Sequence, residues 1–260
     1  MKYLVGAAIL LSAASPALTQ DERVGVFARE WYARLSGTAE SSNNPVGSGR
    51  VDLDHDLGLG DRSWTPELQA YLRIPVVGRI TAGWWHFHET GSEVLSEQID
   101  FAGITFTQST QVDSAFTVDV AYLDYEFDFP TIPIGDLVKL QLGVALGVRG
   151  IRGEASISDS GQTAHDSGTV GLPTLGAHAT LILFDMVRVE AEVLGLVFKY
   201  SNYEAHYLEA FGEATVSPLP WIFAGVGYKA AQINVQHHGS NSFQVDLDIS
   251  GFYVTLGFRF

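Results

Sequence analysis

The chain has 260 residues, no cysteine, and a formal net charge of −15 from 15 basic and 30 acidic side chains. That balance offers no basic footprint for tracking phosphates and excludes nucleic acid as a natural partner, and the lack of cysteine excludes disulfides, thiolate metal sites and thiol nucleophiles. Hydrophobic residues make up 46% of the chain, yet no apolar run beyond the N-terminus reaches the roughly 18 to 20 residues a spanning helix needs.

At the N-terminus, Lys2, an apolar stretch over 3–11 and then small residues form the three parts of a secretory signal. Ser15-Pro16-Ala17 gives the small-x-small pattern, so a signal peptide is expected over 1–17 and a single domain over 18–260. Ala17-Leu18-Thr19 is the second option for cleavage. No cysteine follows that could carry a lipid anchor.

Beyond the leader, 27 glycines and turn residues divide the apolar residues into short segments, the pattern of many strands. A first strand is expected around 24–36. Over 64–74, Leu68, Ala70, Leu72 and Ile74 alternate with Glu67, Gln69, Tyr71 and Arg73. The region 93–107, with Ile99, Phe101 and Ile104, is expected to extend strands above a membrane. The clearest alternation lies over 138–149, where Val138, Leu140, Leu142, Val144, Leu146 and Val148 oppose Lys139, Gln141, Gly143, Ala145, Gly147 and Arg149. Val187, Val189 and Val193 then alternate with Arg188, Glu190 and Glu192, and Leu208 and Ala210 oppose Glu209 and Glu213.

A soluble sandwich would show the same period of two, so the connections decide. Short ones at 75–78, 128–136, 184–186 and 217–220 alternate with long polar ones at about 38–63, 91–114, 150–168, 200–205 and 232–242, as periplasmic turns and extracellular loops do. Aromatics such as Trp64, Trp84, Tyr125, Trp221 and Phe258 gather at segment ends, where interfacial girdles need them. The expected fold is all-β, a transmembrane antiparallel up-and-down β-barrel of about 10 strands, with 8 as the alternative.

The final strand puts Phe252, Val254, Leu256, Phe258 and Phe260 on one face. This resembles the C-terminal assembly signal of bacterial outer-membrane barrels, and the resemblance implies that the barrel-assembly machinery reads this strand. In pattern and size the chain resembles the small outer-membrane barrels grouped around outer-membrane proteins A, W and X. That resemblance covers architecture, implies the cell outer membrane with its lipid and lipopolysaccharide as surroundings, and carries no functional motif.

The expected lumen holds Glu67, Asp119, Glu190, Glu192, Glu209 and Glu213 with Arg73, Lys139, Arg149, Arg188 and Lys229. About ten strands should enclose a largely filled interior, so these charges are expected to pair as a plug. The expected role is non-enzymatic, in envelope structure or surface interaction. A narrow porin-like pore for cations or small polar solutes is the alternative, with space from Gly143, Ala145, Gly147, Gly225 and Gly227. A second alternative is a hydrolase using His86, His88 and Glu89 at the rim, residue types that could serve as general bases. No catalytic set, cofactor or metal site is expected. Asp52, Asp54 and Asp56 with Gly58 approach a calcium-loop spacing, but Ser63 stands where the closing acid belongs.

Overall fold

The computed structural model describes residues 23–41, 49–75, 77–200, 202–237 and 243–260. The leader expected over 1–17 lies outside them. Ten long strands follow one another: β1 (Val24–Ser41), β2 (Arg62–Ile74), β3 (Gly78–Val94), β4 (Gln111–Asp128), β5 (Val138–Ser158), β6 (Thr163–Leu183), β7 (Val187–Tyr200), β8 (Tyr203–Leu219), β9 (Ile222–His237) and β10 (Phe243–Arg259). Each pairs antiparallel with its neighbours in the chain. β10 pairs with β1 from Gly25↔Arg259 to Ser41↔Phe243, which closes the sheet into a barrel. Phe260 completes the seam: its N–H donates to Val24 O at 2.8 Å and its carbonyl accepts from Val24 N at 3.0 Å. Closure satisfies the backbone groups that lipid cannot.

The barrel is taller than a membrane. β5 and β6 have 21 residues each, and strands rising about 3.4 Å per residue at a tilt near 40° stand roughly 50 Å high, against an apolar band of about 25 Å. Around the turn end the outward side chains are apolar and exposed, including Leu68, Leu72, Val144, Leu146, Val226 and Leu256. Beyond this belt the loop end projects into water, and the alternation changes meaning while keeping its parity. Along β4 the lumen-facing series runs Phe116, Val118 and Val120, then Tyr122, Asp124 and Glu126, and all six are buried. The outward series runs Asp113, Thr117 and Asp119, then the exposed Leu123, Tyr125 and Phe127. The lumen is therefore apolar in the projecting half and polar within the membrane.

Several expected connections differ in the structure, and those over 200–205 and 232–242 are partly strand, since pairing continues to Tyr200↔Tyr203 and to His237↔Phe243. The loop expected over 150–168 is mostly strand, because β5 and β6 stay paired from Val138↔Leu183 to Ser158↔Thr163. Only 159–162 turn, held by Asp159 Oδ1 accepting from Gly161 N at 2.8 Å and Gln162 N at 2.9 Å. The turn expected over 128–136 contains the short strand Ile132–Ile134, which pairs with β5. At the loop end, Gly49–Asp52 pairs with β1, and Ile99–Phe101 forms a small hairpin with Ile104–Phe106. Leu53, Leu57 and Leu59, which follow the former strand, are buried in the apolar half with Phe106.

Four glycines on the wall lie directly opposite aromatic residues of the next strand: Gly25↔Tyr71, Gly83↔Tyr122, Gly227↔Tyr253 and Gly257↔Phe223. In each case a Cβ at the glycine would collide with the ring, so the ring lies in the space the missing side chain leaves. This is the cross-strand covering of glycine by aromatics seen in built sheets. Gly227→Val is expected to displace Tyr253 and to weaken pairing of β9 with β10. The check is the fraction of protein that migrates as the compact, unboiled form on a gel, which should fall well below wild type.

Candidate functional site

Within the membrane belt the lumen is filled by an ion-pair network carried on strands from all round the barrel. At its centre Glu67 of β2 is fully buried. It accepts from Trp31 Nε1 at 3.0 Å, Tyr122 Oη at 2.7 Å and Gln69 Nε2 at 2.6 Å. Lys229 Nζ of β9 lies 3.2 Å from Glu67 and 3.4 Å from Glu209. The same ammonium stands 4.5 Å from the centre of the Trp31 ring, which stacks on Trp85 at 5.5 Å.

Two arginines extend the layer. Arg29 Nη2 lies 2.5 Å from Glu213, and the guanidinium packs at about 5 Å against Phe27, Phe211 and Tyr253. Arg149 Nη1 lies 2.5 Å from Asp124, with Nη2 3.9 Å from Glu209, and Tyr207 Oη donates to Glu209 at 2.6 Å. Charges removed from water need partners of this quality, since the desolvation cost of each ion is several kcal/mol. Such a network fixes the side chains in one arrangement.

Toward the turn end Arg79 bonds Glu126 and lies 3.3 Å from Glu190. Arg73 lies 2.6 Å from Asp128, and Lys139 pairs at the rim with Asp185 at 2.7 Å. His178 donates from Nε2 to Asp128 at 2.9 Å, while its Nδ1 has no hydrogen-bond partner among the described residues. Ligand atoms of His178, Glu126 and Glu192 lie within 4.8 Å of one another, so these three are the side chains that could hold a cation. Arg79 already neutralises Glu126 there. The void left among Arg29, Arg79, Asp124, Arg149, Glu192 and Glu213 is about 70 Å³, room for a few waters.

Of the charges expected in the lumen, Glu67, Arg73, Arg149, Arg188, Glu190, Glu192, Glu209, Glu213 and Lys229 line it, and Lys139 sits at its rim. Asp119 does not. It lies on the outer face of β4, where Oδ1 accepts from Trp84 Nε1 at 3.2 Å and pairs with His86 Nδ1 at 2.9 Å. The reason is the change of lumen character near Val120: above it the interior is apolar, so the charged parity points to water.

The glycines expected to leave room are occupied in the same way. A Cβ at Gly143 would meet His178, at Gly147 Asp124, at Gly225 Thr215 and at Gly227 Tyr253. His86 and His88 stack at 6.4 Å on the outer face, whereas Glu89 is buried on the lumen side. The wall of the barrel thus separates the two imidazoles from that carboxylate. Asp52 and Asp56 are engaged in their own turn, Asp52 Oδ1 accepting from Asp54 N and His55 N, and Arg34 reaches Asp54 at 2.5 Å. Phe252, Val254, Leu256, Phe258 and Phe260 all face outward and are exposed. The network members missing from the expected set, above all Arg29, Arg79, Asp124, Glu126, Asp128 and His178, sit on strands where the sequence reading assigned no lumenal charge or, on β4, only the misplaced Asp119. Each stands directly opposite a lumen-facing residue of a neighbouring strand, as in Arg29↔Glu67, Arg79↔Arg73, His178↔Glu192 and Asp124↔Gly147. Strand register, which the alternation within one segment does not carry, is the signal that finds them.

No protein-family model matches the chain, and no curated protein matches it. Among solved structures, the attachment invasion locus protein Ail of Yersinia pestis, in complex with the heparin analogue sucrose octasulfate, is similar at 12% identity with a TM-score of 0.36, covering 92% of this chain and 99% of that one. Neisserial surface protein A is similar at 14% identity with a TM-score of 0.37 over 91% of this chain and 97% of its own. The outer membrane protease OmpT from Escherichia coli is similar at 11% identity with a TM-score of 0.46 over 95% and 99%. The closed antiparallel sheet, its outward apolar belt and its polar interior make this chain a ten-stranded β-barrel of transmembrane type.

Proposed function

We propose that the protein is a non-enzymatic outer-membrane barrel, closed to ions and small polar solutes, that holds a projecting half at the cell surface for envelope structure or interaction with its surroundings. In this reading the turns and Phe260 face the periplasm, and the long connections face outward among lipid and lipopolysaccharide headgroups. The observation that supports it is the midplane layer, in which Trp31, Trp85, Arg149 and Lys229 are almost wholly buried across the lumen, with a void of about 70 Å³ beside it. A water-filled path would leave these groups solvated. Ions crossing here would have to break the Glu67 and Glu213 pairs in a medium of low dielectric.

Vesicles carrying the refolded barrel, placed in isotonic arabinose, are expected to swell no faster than vesicles without protein. Swelling that rises with the amount of barrel would overturn this reading in favour of the narrow pore.

A further inference from the structure

Above the sealed midplane, the projecting half encloses an apolar cavity of about 620 Å³ whose lining includes Leu53, Leu57, Phe116, Ile151, Ile233 and Leu247. Its size falls within the roughly 300 to 1,000 Å³ of small-molecule sites. On the midplane side, Leu35, Phe87, Leu172 and Ile249 are buried in the same apolar cluster as the lining and form its floor. Leu53 and Leu57 of the β1–β2 connection turn inward to join its wall.

Among the described residues the ladders of this wall fail at two places: between β2 and β3 above Glu67↔Trp85, where the β1–β2 connection covers the opening through Ser63 Oγ bonded to His88 O and Leu57 O accepting from Ser114 Oγ, and between β6 and β7. The ladder between β6 and β7 runs from Leu183↔Val187 to Leu175↔Gly195 and ends there. β6 continues paired with β5 as far as Thr163, while β7 continues paired with β8 only to Tyr200. Pro173 sits where the ladder fails, and a proline has no N–H to donate to the next strand. Past it, Gly168 and Gly171 have nothing within 4 Å of where a Cβ would stand. The cavity reaches both sides of this gap, through Ser167, Gly168 and Val170 on β6 and Phe198 on β7. The lower end of the gap meets the outer edge of the lipid belt, marked by the exposed Leu175 and Val197.

We propose that this chamber binds a small apolar molecule of hydrocarbon type, and that the gap between β6 and β7 is its passage to and from the outer leaflet. The chemistry follows from the lining, which is mostly apolar: of its three acids, Glu154 pairs with Arg152, Glu204 with Lys199, and Asp166 accepts from Ser167 N, so the surface left for a ligand favours an apolar one. The route follows from the closures. A molecule in the chamber faces a closed floor and walls that are hydrogen-bonded or, between β2 and β3, covered by the β1–β2 connection, and the unpaired stretch of β6 opens at the height where the membrane begins. The inference uses the sealed floor only for the direction of exit, so occupancy of the chamber is read independently of ion conduction.

The test uses the full chain refolded in phosphatidylcholine vesicles and a trifluoromethyl-phenyl diazirine as apolar photolabel, dissolved in the membrane beforehand. Labelled positions are located by peptide mass spectrometry. Labelling of the lumen-facing Phe116, Ile151 and Leu247 should saturate as the label is raised, while labelling of the lipid-facing Leu68 and Leu256 should rise in proportion. Gly168→Trp should fill the gap and reduce chamber labelling to background, with belt labelling unchanged. Val197→Arg, which puts a charge at the membrane edge of the gap, should act in the same direction if the tryptophan variant does not assemble. Chamber positions that stay unlabelled in the wild type would overturn the site. Chamber labelling that persists in an assembled gap variant would overturn the passage.

Discussion

Replacing Glu67 with alanine is expected to destabilise the barrel by about 3–5 kcal/mol, the usual consequence of removing one partner from a buried ion pair. Glu67 is fully buried and accepts hydrogen bonds from Trp31, Tyr122 and Gln69 while facing Lys229. Without it the Lys229 ammonium keeps Glu209 at 3.4 Å and the Trp31 ring, and the Trp31 N–H and Tyr122 O–H lose their acceptor. A paired change, Glu67→Gln with Lys229→Met, removes both charges at nearly constant volume and should recover most of the loss, because a buried pair replaced as a unit is often neutral. Urea unfolding in vesicles, followed by tryptophan fluorescence, reads both. An alanine variant that unfolds at the wild-type midpoint would show that the network does not hold the barrel together.

The second large effect is expected from the aromatic part of the plug. Trp31 and Trp85 stack at 5.5 Å in the middle of the lumen and are fully buried, so together they occupy the space that a permeating ion would need. The double variant Trp31→Ala, Trp85→Ala should assemble less stably, since each large-to-small aromatic change in a packed interior costs about 3–5 kcal/mol. The fraction that assembles should conduct. Its current should favour cations, because the carboxylates Glu67, Glu209 and Asp124 line the opened path and focus positive charge. Silent, fully assembled double-variant barrels would move the seal to the apolar floor that Phe87 and Leu172 form.

The belt was legible from the sequence because lipid imposes one rule along the whole of it. Val138 to Arg149 alternates without interruption, and the structure places each residue on the expected face. The same rule misplaced Asp119, since it treats every charge on a strand as lumenal. Beyond the membrane, water lies outside and the apolar loop-end core inside, so the charged parity reverses near Val120. Signals for that reversal exist: the lumenal parity of β4 turns from Tyr122 to Val120 and Val118 just as the outer parity turns from Ala121 to Asp119. The hairpin over 150–168 was hidden for a related reason. Its glycines and serines read as loop, whereas Ile151, Ile157 and Ala164 hold it against the apolar core. The convergence on Glu67 of Trp31, Tyr122 and Lys229 depends on strand register around a closed ring, and no single segment carries it. The gap beside Pro173 is likewise a property of two strands of unequal length.

The central claim is that the wild-type lumen is sealed, and the most direct measurement is current through the refolded wild-type barrel in a planar bilayer. With Trp31, Trp85, Arg149 and Lys229 packed across the midplane, the trace is expected to match that of the bare bilayer after insertion is confirmed by gel shift of protein recovered from the same preparation. Steady single-channel steps from the wild-type protein would contradict it.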